Sequence, residues 1–172
     1  MEHRPALNSD IDRIMDIIKE AQLFLREKGV NQWQDGYPSR ELCENDIKKG
    51  CCHVFLVDGT IAGIISVFYG WEECYEYIED GAWLTGDMPY AVFHRTAVGK
   101  EYRGTGVAER MLAFAENSAA EKGFGSIRGD THYDNVAMRR LLEKRGFVHC
   151  GTIYVGSEKT AINRRACYEK IL

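Results

Sequence analysis

Arg103-Gly104-Thr105-Gly106-Val107-Ala108 is the segment of this 172-residue chain whose residue types and spacing point most directly to chemistry. It follows a β-rich run ending at Val98 and opens a stretch in which Val107, Met111, Leu112 and Ala115 form a helical apolar stripe. Glycines let a backbone approach a ligand closely, and the N–H groups at a helix start point at an anion. Arg103 adds a fixed positive charge, and the combination suits a pyrophosphate. A tight strand-to-helix connection would use the same glycines, so the turn alone leaves both readings open. There is no G-x-x-x-x-G-K-[ST] segment, and the glycines do not complete G-x-G-x-x-G, which sets aside the familiar ATPase and dinucleotide motifs.

Two other segments carry reactive side chains. Trp71 to Asp80 mixes acids with aromatics and could bind a cationic amine through carboxylates and ring faces, or form a solvated hairpin with its rings turned inward. Asp130-Thr131-His132 falls just past a strand end, where it could line a cleft or cap a turn. The six cysteines are scattered, and Cys51-Cys52-His53 lacks the paired spacing of a tetrahedral metal site. No metal is expected, and the cysteines read as small, reduced, apolar residues.

The elements that must position these groups are legible in the periodicities. Ile11, Ile14, Ile18, Ala21 and Leu25 make one face of a first helix, with Ser9-Asp10 as its N-cap and Gly29 as its stop. A loop over residues 31–38 carries Trp33 and Tyr37 and is a candidate substrate lip; a second short helix then runs from Pro38-Ser39 to about Gly50. Residues 52–57 and 61–69 form a hairpin across Asp58-Gly59-Thr60, and residues 90–98 form another strand. After the glycine turn come a helix to about Ala120, a strand at 126–130, a helix from Asp134 or Asn135 to Arg145 stopped by Gly146, and two β-rich runs at 147–154 and 165–171. A short strand in residues 2–7 can precede the series. With no internal repeat or linker, residues 1–172 are expected to form one domain.

Arg103 to Ala108 matches [QR]-x-x-G-x-[GA] at every fixed position, and Asn135 followed by Leu141-Leu142-Glu143-Lys144-Arg145-Gly146-Phe147 matches a second block ending in K-x-G-F. In these motifs and in element order the chain resembles the GNAT superfamily of acetyl-CoA-dependent N-acetyltransferases, closely over residues 90 to 150 and loosely throughout. The resemblance implies an α+β (mixed α/β), three-layer fold whose mostly antiparallel mixed sheet, flanked by helices, splays between the strands ending at Val98 and Asp130. It implies acetyl-CoA as co-substrate, with pantetheine along Ala97 and Val98, the pyrophosphate on Arg103, Gly104, Thr105, Gly106, Val107 and Ala108, and a further contact from Asn135. Asn135 would serve equally as the N-cap of its helix.

Acyl transfer to an amine requires a neutral nucleophile, a donor for the oxyanion and a proton for the thiolate. The resemblance carries over the Val98 N–H as oxyanion donor. It does not carry over the usual acid or base: Leu142 stands where many relatives have Tyr, and Val92 where some have Glu. Tyr133 is the candidate acid. His94, two residues beyond Val92 and on the same strand face, is the candidate base, with Glu79 and Asp80 as rivals.

Hydrophobic residues at 45% and charged residues at 28% describe an ordinary globular protein. A net charge of -4 offers no attraction for nucleic acid or anionic lipid, and the apolar runs are too short for a membrane span or secretion signal. The expectation is a cytoplasmic N-acetyltransferase acting on a primary amine of a small molecule or peptide, with a homodimer suggested by analogy. The rival reading is a non-catalytic acyl-CoA-binding or sensing domain of the same fold, motivated by Leu142 and Val92. A third is an unrelated α+β domain with an imitative turn.

Overall fold

The computed structural model describes residues 1–156 and 158–172. A short strand β1 (Glu2–Pro5) leads into helices α1 (Ile11–Glu27) and α2 (Arg40–Lys48), then the hairpin of β2 (Cys52–Val57) and β3 (Thr60–Tyr69). Strand β4 (Ala91–Val98), helix α3 (Val107–Glu121), strand β5 (Ser126–His132), helix α4 (Val136–Lys144) and strands β6 (Val148–Tyr154) and β7 (Arg164–Ile171) complete the chain. This is the element order that the apolar periodicities predict, with the short leading strand included.

The strands are hydrogen-bonded in the order β1-β2-β3-β4-β5-β7-β6. β4 and β5 run parallel, and their ladder holds only two pairs, Ala91 with Ile127 and Val92 with Arg128. β1–β2, β2–β3, β5–β7 and β6–β7 are antiparallel, giving the mixed, mostly antiparallel sheet expected. No helix among the described residues is long and apolar enough to cross a membrane.

Contacts group the chain into two compact units, residues 1–68 with 93–115 and residues 69–92 with 116–172. In the first, Ile14, Ile17 and Ile18 of α1 are fully buried against Cys43, Val54, Ile61, Ile64 and Ala97. Asp10 stands at the N-cap position that Ser9-Asp10 predicts, but makes no side-chain cap bond: its carboxylate accepts the Leu7 N–H at 2.8 Å and pairs with Arg4 at 2.6 Å, closing the 3-10 turn ahead of the helix. Ser39 caps α2 by accepting the Leu42 N–H at 3.2 Å. Asp58 and Gly59, with φ of 48° and 76°, form the two-residue turn of the hairpin, so β3 begins at Thr60.

In the second unit, Ile127, Leu142, Phe147, Ile153 and Tyr168 are buried. The connection over residues 70–90, which has no clear periodicity, is held by polar anchors rather than by regular structure. Arg128 is buried with its guanidinium 4.3 Å and 3.8 Å from the Trp83 and Tyr90 ring centroids. It donates to Glu169 at 3.0 Å and to the Gly86 carbonyl at 2.6 Å. Glu169 also accepts from the Thr85 hydroxyl at 2.6 Å and from Ser126 at 2.7 Å. Further along, Glu79 and Thr152 exchange both main-chain hydrogen bonds, at 2.8 and 2.7 Å, so one residue of the connection pairs with β6.

Candidate active site

In the first unit, β4 ends at Val98 and the Gly99 N–H returns to the Ala62 carbonyl at 2.8 Å. A 3-10 turn over Lys100–Tyr102 follows, then Gly104 and Gly106 with φ of 79° and 87°. A side chain at either glycine would be strained, and a Cβ built there meets nothing within 4 Å. That side of the turn is open. The Arg110 N–H donates to the Gly106 carbonyl at 3.1 Å, so the Val107 and Ala108 N–H groups precede the helical ladder, where anions bind helix starts. Thr105 locks the turn by donating its hydroxyl to the Tyr102 carbonyl at 2.7 Å.

Arg103 is directed to α1. Its Nη2 donates to the Glu20 carbonyl at 2.8 Å, its Nε to the Val98 carbonyl at 3.4 Å, and its guanidinium lies 4.7 Å from the Phe24 ring centroid. The Glu20 carboxylate accepts the Lys100 N–H at 2.6 Å and pairs with Arg13 at 3.5 Å. The turn is thus backed by one face of α1, to which the Arg103 guanidinium is tied.

On β4, Val92 and Ala97 are buried, while His94, Arg95, Thr96 and Val98 are half-buried. His94 lies 5.7 Å from the Phe68 ring, and the Arg95 guanidinium lies 5.0 Å from the same ring. Arg95 bonds Asp46 at 2.6 Å and the Tyr37 hydroxyl at 3.0 Å. Neither periodicity nor motif signals this network. A charged residue in the middle of a β-rich run is the available hint.

The second unit holds the remaining candidates. The Tyr133 hydroxyl bonds the Thr152 hydroxyl at 2.7 Å, and its ring lies under the Arg164 guanidinium at 4.2 Å. Glu79 is ion-paired with Lys159, and Asp80 lies 3.9 Å from Arg164. Asn135 caps α4 by accepting the Met138 N–H at 3.3 Å. Leu142 is fully buried. Asp130 accepts the hydroxyl of buried Tyr75 at 2.8 Å; burial, followed by the nearby Asp130 charge, pushes the Tyr75 phenol well above its ordinary value. Among the described residues no group of three or more metal-ligating side chains is assembled.

Residues 12–147 match the model of the acetyltransferase (GNAT) family. The chain belongs to the GNAT acetyltransferase family. The curated N-acetyltransferase YesJ of Bacillus subtilis (strain 168), itself uncharacterised, is 24% identical over 150 residues, 86% of this chain and 81% of YesJ. A GNAT acetyltransferase from Streptococcus agalactiae superposes with a TM-score of 0.83 at 34% identity, covering 99% of this chain and 95% of that one. YncA of Salmonella typhimurium, solved with its cofactor acetyl-CoA, superposes with a TM-score of 0.69 at 18% identity, covering all of this chain, 100%, and 94% of YncA.

The protein is therefore an acyltransferase, and its chemistry constrains how the residues above can serve. The buried, apolar Leu142 offers no proton, and buried Val92 offers no base. A GNAT acetyltransferase with this pair must draw on main-chain groups, on water, or on other side chains for proton transfer.

Proposed function

We propose that the protein transfers an acetyl group from acetyl-CoA to a primary amine of a small molecule or peptide by direct attack of the amine on the thioester. The observation that carries the donor side is the turn at the start of α3. There Gly104 and Gly106 hold left-handed backbone beside open space, and the first helical N–H groups lie at an anion-binding position. The residues fit a pyrophosphate, with Thr105 and Arg103 fixing the turn from behind.

Acetyl-CoA supplies an activated acetyl group. The Val98 N–H stabilises charge on the carbonyl oxygen as the amine nitrogen bonds to the acetyl carbon and the C–S bond breaks. His94, on the same strand, takes the amine proton directly or through water. Water returns a proton to the sulfur. Glu79 and Asp80 already face Lys159 and Arg164, which favours His94 over either carboxylate as the base.

Isothermal titration with acetyl-CoA, followed by thiol release against a panel of amines, tests the reading. Saturable binding with release of CoA for some amine is expected; absence of binding would sink it.

A further inference from the structure

We propose that Arg95 is a positioning residue for acetyl transfer, fixing the end of β4 so that the main chain of Ala97 and Val98 faces the thioester arm of acetyl-CoA. The proposal rests on the acetyl-CoA reading above.

Arg95 has φ of 52° in the middle of a strand. A long, non-glycine side chain in that region is strained and persists only where its surroundings impose it. Here they do. The Nε donates to the Asp46 carboxylate at 2.6 Å, with side-chain exposures of 9% and 3%, so this is a buried charge pair. Asp46 is fixed in turn by the Ser66 hydroxyl at 2.8 Å, and Arg95 Nη1 donates to the Tyr37 hydroxyl at 3.0 Å. The guanidinium packs on Phe68, the ring that His94 also reaches. Consecutive residues of a regular strand face opposite ways, so two neighbours on one ring mark an interruption of the pleat.

The interruption has a further cost, because the Thr96 Oγ1 is buried with no hydrogen-bond partner. Strain at residue 95 and an orphaned hydroxyl at 96 immediately precede the two residues whose main chain is assigned to pantetheine and the oxyanion. An interruption of the pleat re-aims the main chain that follows it, as bulges beside active sites do. The ion pair with Asp46 stabilises an otherwise unfavourable conformation, and Tyr37 links it to the loop over residues 31–38.

The test separates the two halves of the cofactor by titrating acetyl-CoA and 3′-phospho-ADP, which lacks the pantetheine arm. Arg95→Met alone would leave the Asp46 charge buried and unpaired, so the main variant is Asp46→Asn/Arg95→Met, with Arg95→Lys as a second variant that keeps the charge without the planar fork. The expected result is a fall of about tenfold in acetyl-CoA affinity for the double variant, a smaller fall for Arg95→Lys, and 3′-phospho-ADP affinity unchanged to within roughly twofold. Equal losses for both ligands would make Arg95 a purely structural residue and overturn the proposal, as would no loss for either. A parent protein that bound neither ligand would refute the cofactor reading itself.

Discussion

Gly63 of β3 passes so close beneath Met111 of α3 that a Cβ at residue 63 would stand 2.6 Å from Met111 Sδ. It would also meet Val107 Cγ1 at 3.0 Å and the Ala97 carbonyl oxygen at 3.2 Å. The thioether can swing away, but a main-chain carbonyl on the central strand has less room. Gly63→Ala should therefore cost about 1–3 kcal/mol by overpacking, and Gly63→Val more. Urea denaturation checks the size. A variant as stable as the parent would mean that the start of α3 can lift from β3 freely.

Gly106→Glu addresses the anion site. With φ of 87° and open space around the Cβ position, the substitution carries modest backbone strain and no steric clash. An acid at a helix start is electrostatically favourable for the helix itself. Stability should fall by about 1–3 kcal/mol, the cost of the left-handed backbone alone, while acetyl-CoA affinity falls by more than about a hundredfold. Titration calorimetry beside a thermal melt distinguishes these effects; undiminished binding would move the pyrophosphate elsewhere.

Arg103 separates a strut from a phosphate ligand. Its guanidinium is engaged with the Glu20 carbonyl and the Phe24 ring. Arg103→Ala should destabilise the fold by about 1–2 kcal/mol, and Lys should recover little, because it lacks the planar fork and stacking face. The salt dependence of acetyl-CoA affinity should match that of the parent. A clearly weaker dependence in the variant would show that Arg103 carries charge to the phosphates after all.

The contrast between these sites shows what the sequence could convey. The stripe from Ile11 to Leu25, the Asp58-Gly59 turn and the strand-to-helix glycines have short-range signatures, and each stands where those signatures put it. Asn135 carried two readings, and the cap is the one made inside its own helix. The connection from Trp71 to Asp87 was illegible because its order comes from partners distant in sequence. Arg128 lies 41 residues from Glu169, and Leu84 lies 85 residues from it. Asp46 and Arg95 are 49 residues apart. Their burial as a pair leaves no periodic trace, and a lone Arg in a strand looks like a surface residue until its partner is placed.

Glu169 gives the last prediction, a pH dependence of stability. Burial would raise its carboxyl, but hydrogen bonds from Thr85, Ser126 and Arg128, with the Arg128 charge, outweigh burial and hold it below its ordinary 4.5. Glu116 is held low in the same way by Arg145 and Lys170, against its own burial. A carboxyl depressed in the folded state contributes stability in full above its unfolded value. That contribution is lost as pH falls from about 4.5 towards the folded value. The protein should therefore lose stability steadily on acidification below about pH 4.5. Glu169→Gln should flatten part of that slope while costing about 3–5 kcal/mol near neutrality, because the buried Arg128 charge loses its partner. Denaturant midpoints measured across pH 3 to 7 for both proteins provide the check, and an unchanged acid slope in Glu169→Gln would show that Glu169 does not contribute to it.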